Sequence, residues 1–336
     1  MIKVGINGFG RIGRNVVRAA LGREDFQVVA INDLTDSRTL SHLLKYDSIA
    51  GTLPAQVEAG DGNLTVDGRA IKVFSHRDPG EIPWHEAEAE IVIESTGRFT
   101  HKSQAEVHIT KGGAKRVILS APGTGDDLTV VMGVNDDRYD PSLHRVVSNG
   151  SCTTNALAPA ALVLHRAFGI ESGLMNTTHA YTNSQPLHDQ PEKDLRAARA
   201  AALSIIPHSS GAAKAIGRVI PELDGKLTGY SLRVPVPTVS IVDLSVVLSR
   251  TVTVEEVNSA FREAAFQGPL QGILGYSEEP LVSCDFQGDP RSSIFDAPST
   301  LVVGGRHVKI LTWYDNEWGF SNRLVDLALL MKRRGL

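Results

Sequence analysis

Cys152 and Cys284 are the only two cysteines in the 336-residue chain. That scarcity excludes a disulfide scaffold and a cysteine-rich zinc or iron–sulfur site. Two thiols also fit a reducing compartment. A surplus of positive charge is missing too, because 34 Lys and Arg face 38 Asp and Glu, a net charge of −4. General affinity for nucleic acid or for an anionic membrane needs the opposite balance. The longest apolar run, Ala156 to Leu164, falls far short of the roughly 20 residues that span a bilayer. No HExxH and no His/Cys ligand spacing points to a metal. The opening MIKVGING reads directly as a strand and a glycine turn with no signal peptide ahead of it, so a cytoplasmic location is expected. Internal repeats and low-complexity segments are absent. What remains is ordinary globular composition, 42% hydrophobic and 21% charged. Its length suits two domains, with a core that needs no covalent staple.

Short apolar runs alternate with helical patterns through the first half. Strands are expected at Ile2–Asn7, Phe26–Asn32, Ile91–Glu94, Val117–Ser120, Val130–Gly133 and Arg145–Ser148. Helices are expected at Arg11–Leu21, Leu40–Tyr46 and Lys102–Lys111, and Asp-Gly pairs bracket NLTV as a hairpin. Such alternation predicts an α/β fold, a doubly wound parallel sheet with helices on both faces. The pattern changes near residue 150. A helix over Thr153–Phe168 leads to longer strands at Tyr230–Val234, Val239–Leu248 and His307–Trp313. Thr253 and Glu256 form a capping box ahead of another helix. A second, α+β domain with a mixed or antiparallel sheet is expected. The boundaries are 1–150, 151–316 with an irregular stretch at 181–211, and a C-terminal helix in 317–336 returning to the first domain.

GINGFGRIG contains Gly8-x-Gly10-x-x-Gly13 between a buried strand and a helix, and Asp33 follows Gly13 by 20 residues at the end of the next strand. In that context the motif is a dinucleotide fingerprint. Gly8 permits the tight turn, Gly10 lets backbone approach a pyrophosphate, and Gly13 lets the helix pack on the sheet. The helix N-terminus offers N–H groups to the phosphates. Asp33 accepts from a ribose 2′-OH and repels a 2′-phosphate, which favours NAD over NADP.

SNGSCTTN places Cys152 where a strand turns into a helix. The positive end of the helix dipole favours thiolate there; the alternative is a small buried hydrophobe. Cys284, in a strand-like run, reads as structural. A thiolate needs a base. His179 ends a strand and opens the irregular segment, with His188 and His208 as rivals; His165 and His307 read as structural.

These residues resemble a known family. INGFGRIGR (6–14), INDLTD (31–36), LLKYDS (43–48), ESTGRFT (94–100), SNGSCTTN (148–155), HAYTN (179–183), SGAAKA (210–215), LRVPVP (232–237) and WYDNEWGF (313–320) are similar to the phosphorylating glyceraldehyde-3-phosphate dehydrogenases of bacteria. The resemblance covers essentially the whole chain. It implies an NAD-dependent homotetramer in which Cys152 attacks the aldehyde and His179 acts as base. A hemithioacetal would give a thioester, and inorganic phosphate would release 1,3-bisphosphoglycerate. Thr182 and Arg233 would hold the substrate's C3 phosphate. Ser151, Thr153, Ser210 and Gly211 would hold the attacking phosphate. Arg11 and Ile12 would give N–H groups to the pyrophosphate. Asn32, Arg77, Thr96 and Ser120 would make other cofactor contacts, and Asn316 and Phe320 would hold the nicotinamide. The thiol is expected to be ionised near neutral pH by the helix dipole and a His179 imidazolium.

The chain departs from the family pattern at several positions. Ala156 stands where a second Cys is usual, Gly150 where Ala is usual, Ser184 where many have Asp, and Ala197 where many have Arg. Gln190-Pro191 matches a Leu-Pro pair that contacts the ribose in NAD-preferring relatives; a polar Gln tolerates a 2′-phosphate better than Leu, while Asp33 still points to NAD. Erythrose-4-phosphate dehydrogenase is the rival enzyme reading. A non-catalytic scaffold or nucleic-acid binder on the same fold is the rival of another class, disfavoured by the net charge and the lack of an aromatic-basic stripe.

Overall fold

A computed structural model describes residues 1–336. The chain divides into two compact units. One holds Met1–Val130, Arg138–Gly150 and Ser321–Leu336; the other holds Val131–Asp137 and Ser151–Phe320.

The strands of the first unit are β1 (Ile2–Asn7), β2 (Phe26–Asn32), β3 (Tyr46–Asp47), β4 (Gly51–Thr52), β5 (Val57–Gly60), β6 (Asn63–Val66), β7 (Arg69–Phe74), β8 (Ile91–Glu94), β9 (Arg116–Leu119), β10 (Leu128–Thr129) and β11 (Val146–Ser148). Nine of them form one sheet in the order β10-β11-β9-β8-β1-β2-β7-β6-β5. Every pair from β10 to β7 is parallel, and β5–β7 fold on as an antiparallel extension. β1 lies between β2 and β8, where the strand order reverses. In such sheets ligands sit beyond the carboxyl ends of the strands at that point. Helices α1 (Arg11–Ala20), α2 (Ser37–Lys45), α3 (Lys102–Ala105) and α4 (Val107–Thr110) connect the strands. No side chain caps α1, which begins after Gly10, whereas Asp36 caps α2 by accepting from the Thr39 N–H.

The second unit begins with α5 (Cys152–Phe168), then β12 (Ile170–Ala180), β13 (Ile206–Ser209), α6 (Ala212–Val219), β14 (Leu227–Val234), β15 (Ser240–Leu248), α7 (Val254–Phe266), β16 (Leu274–Ser277), β17 (Ser293–Val303) and β18 (His307–Tyr314). The sheet order is β13-β14-β12-β15-β18-β17-β16. It is mixed, since β12 runs parallel to β14 and antiparallel to β15. β15 alternates strictly, and its buried Val242, Leu244, Val246 and Leu248 join Leu157 and Leu164 of α5 in one core. The Thr253–Glu256 capping box forms as expected. The last helix, α8, covers Trp318–Arg333. No helix is long and apolar enough to cross a membrane.

Several local expectations change. Val130–Gly133 is a turn rather than a strand, because the Asn135 and Asp136 side chains capture the N–H groups of Val131 and Gly133. The stretch 181–211 is irregular except for the short helical turn Ala201–Leu203 and strand β13. β17 is not among the expected strands; it is interrupted by a register shift between Asp296 and Leu301 that surrounds Pro298. Cys284 is exposed in the 3-10 turn Ser283–Phe286 rather than built into a strand; Phe286, not the thiol, turns inward.

Candidate active site

Ser151 caps α5 by accepting from the Thr154 N–H, so Cys152 is the first helical residue. Its half-buried thiol meets His179 at the end of β12, with Sγ 3.4 Å from Nε2. The parallel β12–β14 register sets Arg233 opposite His179. Arg233 Nη1 donates to His179 Nδ1 at 2.6 Å and to the Ala180 carbonyl at 3.2 Å. A guanidinium only donates and the Ala180 carbonyl, also 2.6 Å from Nδ1, only accepts, so the two contacts call for opposite tautomers; while Arg233 holds the ring, Nδ1 accepts and the ring proton sits on Nε2, facing sulfur. His188 and His208 do not take this place.

Burial governs the electrostatics. It pushes the Cys152 thiol up, against the downward pull of the Arg233 charge and the donors of Thr153. His179 is pushed down to about 3 by burial and by Arg233. The expected thiolate–imidazolium pair is therefore corrected in both members: in the unliganded protein His179 is neutral, burial holds the thiol above its ordinary range rather than below it, and Arg233 supplies the positive charge near sulfur. Arg233 is no solvated strand-end charge. Burial lowers its pKa, and its buried Nε has no partner.

Tyr314 was not singled out from sequence. Its ring meets His179 edge-on at 5.9 Å, and its hydroxyl contacts Thr153 Oγ1 at 2.9 Å and Thr177 Oγ1 at 2.8 Å. It fixes three groups around the thiol from the end of β18. Ser240 was also missed. Its hydroxyl accepts from the Ala180 N–H and donates to Asn316 Oδ1 at 3.0 Å, which turns the Asn316 amide nitrogen outward from that bond. Only the period-two burial of β15 and β18 hinted at either residue. Phe320 is buried.

Two polar clusters flank the thiol's unit. Thr182 bonds Ser184 Oγ at 2.8 Å, and Gln185 Oε1 accepts from the Thr182 N–H. Ser210 and Gly211 precede α6; Gly211 has no side chain to cap it, and Ser210 Oγ accepts from the Ala212 N–H at 3.3 Å. Ser151 already serves as a cap, while Ala197 is buried and brings no charge.

In the first unit, a cavity of about 330 Å³ is lined by Gly8, Gly10, Asn32, Asp33, Arg77 and Thr96 among others. A Cβ on Gly8, at φ +91°, would fall 2.8 Å from the Thr96 nitrogen. A Cβ on Gly13 would fall 2.4 Å from the Gly8 carbonyl. These two glycines are therefore required by packing. At Gly10 a Cβ would meet no protein atom, which leaves room for a ligand at the N-terminus of α1. The Asp33 carboxylate is held at the end of β2 by the N–H groups of Phe9 and Thr35. Arg11 extends to an ion pair with Asp47, and Ile12 follows it in the first turn. Ser120 directly follows β9 and donates its N–H to the Glu94 carbonyl. This arrangement fits a dinucleotide.

Residues 2–102 match the family model described as glyceraldehyde 3-phosphate dehydrogenase, NAD binding domain. Residues 151–316 match that of the C-terminal domain of the same enzyme. The chain is 59% identical over 336 residues to glyceraldehyde-3-phosphate dehydrogenase 1 of Bacillus cereus, covering 100% of both chains. It is 58% identical over 335 residues to the Geobacillus stearothermophilus enzyme of that name, covering 100% of this chain and 99% of the other. Against glyceraldehyde-3-phosphate dehydrogenase 2 of Streptomyces avermitilis the identity is 59% over 331 residues, or 98% of each. With likeness running the full length of the chain, and a cysteine–histidine pair where the motifs predict one, the protein belongs to the glyceraldehyde-3-phosphate dehydrogenase family.

Proposed function

We propose that the protein oxidises D-glyceraldehyde 3-phosphate with NAD and inorganic phosphate, giving 1,3-bisphosphoglycerate. The single observation that carries this reading is the Cys152 sulfur 3.4 Å from His179 Nε2 at the start of α5, in a chain of this family. Cys152 Sγ attacks the aldehyde carbon and the thiol proton passes to the aldehyde oxygen, which becomes the hydroxyl of a hemithioacetal. The backbone N–H of Cys152 stabilises the developing oxyanion. NAD, when bound, supplies the hydride acceptor, with Asn316 and Phe320 holding its nicotinamide end. His179 takes the hydroxyl proton. That step uses the other tautomer, in which Nδ1–H donates to the Ala180 carbonyl 2.6 Å away. It becomes available once Arg233 turns from the ring to the substrate's C3 phosphate, beside Thr182. Phosphate oxygen then attacks the thioester, and the Cys152 thiolate leaves. Thr153, Ser210, Gly211 and Ser151 are the proposed holders of that phosphate.

The cofactor set is Gly8, Gly10, Arg11, Ile12, Gly13, Asn32, Asp33, Arg77, Thr96 and Ser120. We assign residues 1–150 with the C-terminal helix to NAD binding and 151–316 to catalysis. We further propose self-association to a homotetramer. Leu187, Leu195, Leu203 and Ile205 all stand exposed within one segment of the second unit, and large apolar side chains left in solvent in that number support burial against another copy. A reducing cytoplasm suits the two free thiols.

The test is NADH formation from triose phosphate with and without inorganic phosphate. Turnover should require phosphate, with a raised phosphate KM because Ala197 carries no charge. A higher kcat/KM with erythrose 4-phosphate would install the rival enzyme reading, and no turnover with either aldehyde would install the scaffold reading. Asp33→Ala should shift the ratio of kcat/KM for NADP over NAD upward by about tenfold or more, the value of one charge-assisted contact. Unchanged ratios would remove Asp33 from the ribose site.

A further inference from the structure

Behind the dinucleotide cavity lies a buried polar chain that the proposed mechanism does not use. Glu94 ends β8 with its side chain 2% exposed. A carboxylate taken out of water is costly unless donors replace the water. Here four donors do so. The Thr96 N–H and hydroxyl reach Oε1 at 2.9 and 2.5 Å. Asn7 Nδ2 and His108 Nε2 reach Oε2 at 2.6 and 3.0 Å.

The polarity of this chain is fixed from both ends. Trp84 Nε1, which can only donate, gives its proton to His108 Nδ1 at 3.0 Å. His108 therefore keeps its proton on Nε2 and aims it at Glu94. At the other end the His76 backbone N–H donates to Asn32 Oδ1 at 2.8 Å, and Asn32 Nδ2 donates to Asn7 Oδ1 at 2.8 Å. Asn7 is thus left with its nitrogen toward Glu94. Trp84 is itself seated by two glycines, since a Cβ on Gly5 or Gly112 would fall 2.6 Å from its ring. Asn7, Asn32, His76 and Thr96 line the cavity; Trp84, His108 and Glu94 do not.

We infer that Trp84 and His108 are positioning residues for the dinucleotide cavity, acting through the Glu94 carboxylate on Asn7, Asn32 and Thr96. The inference rests on the reading of that cavity as the NAD site. An apolar filling would serve stability equally well. What it would not do is fix which way two carboxamides and one threonine face.

The test titrates NAD into full-length wild type, His108→Gln and Trp84→Phe by calorimetry, well below each Tm. Trp84→Phe removes the donor of the Trp84–His108 bond, and His108→Gln replaces the ring whose tautomer that bond fixes with an amide free to flip. NAD Kd should rise about 5–20-fold in each, with KM for NAD rising more than kcat falls. Kd within twofold of wild type, with only Tm lowered, would overturn the inference and leave the NAD site intact. A wild type that does not bind NAD would overturn the site reading and the inference together. Should either variant fail to fold, ¹⁵N NMR of wild type decides: the His108 Nε2–H tautomer should persist through NAD saturation, and a proton on Nδ1 would overturn the inference.

Discussion

Cys152→Ser is expected to lower aldehyde oxidation by about 10⁴–10⁶-fold, the range seen when a covalent nucleophile acting with its base is removed. A serine hydroxyl in the same place has no accessible anion near neutral pH and is a far weaker nucleophile than sulfur. NAD affinity should stay within about twofold of wild type, because the glycine turn and Asp33 belong to the other unit. A pre-steady-state experiment separates the cases. Wild type mixed with substrate and NAD, without phosphate, should release a burst of one NADH per chain, and the variant none. A burst of normal amplitude in the variant would show that sulfur at 152 is not the group acylated.

Replacing His179 by Gln should cost about 10²–10⁴-fold in kcat, the usual contribution of a positioned base. It should also change the acid stability of the fold. The buried ring is neutral down to about 3, whereas an unfolded histidine binds its proton near 6.5. Between these values the unfolded chain holds more protons, so stability falls as pH drops through that window. The slope from this one group reaches about 1.4 kcal/mol per pH unit. Urea melts of wild type between pH 7 and pH 4 should show that slope, and the variant should show a flatter line. An unaltered slope would mean that His179 is protonated in the native state.

The dinucleotide half of the molecule was legible because each signal is local. Gly8, Gly10 and Gly13 lie on one turn, and Asp33 follows at the end of the adjoining strand. The thiol was legible for the same reason, in the strand–turn–helix of SNGSCTTN. The charge state of the pair was not. It depends on Arg233, 54 residues beyond His179 in the chain and brought to it only by strand pairing. Tyr314 and Ser240 were hidden likewise, their partners lying on other elements far away in the chain. Cys284 misled because apolar neighbours imitate a strand where Asp285 closes a turn onto Val282.

The reactive sulfur stands at the tip of a helix whose remaining length is almost wholly enclosed, from Thr153 through Leu164. Aim and anchorage are therefore one property. A methyl lost deep along that rod would be felt as a tilt at its muzzle, so distant packing changes should register in the alkylation rate before they register in the melting curve.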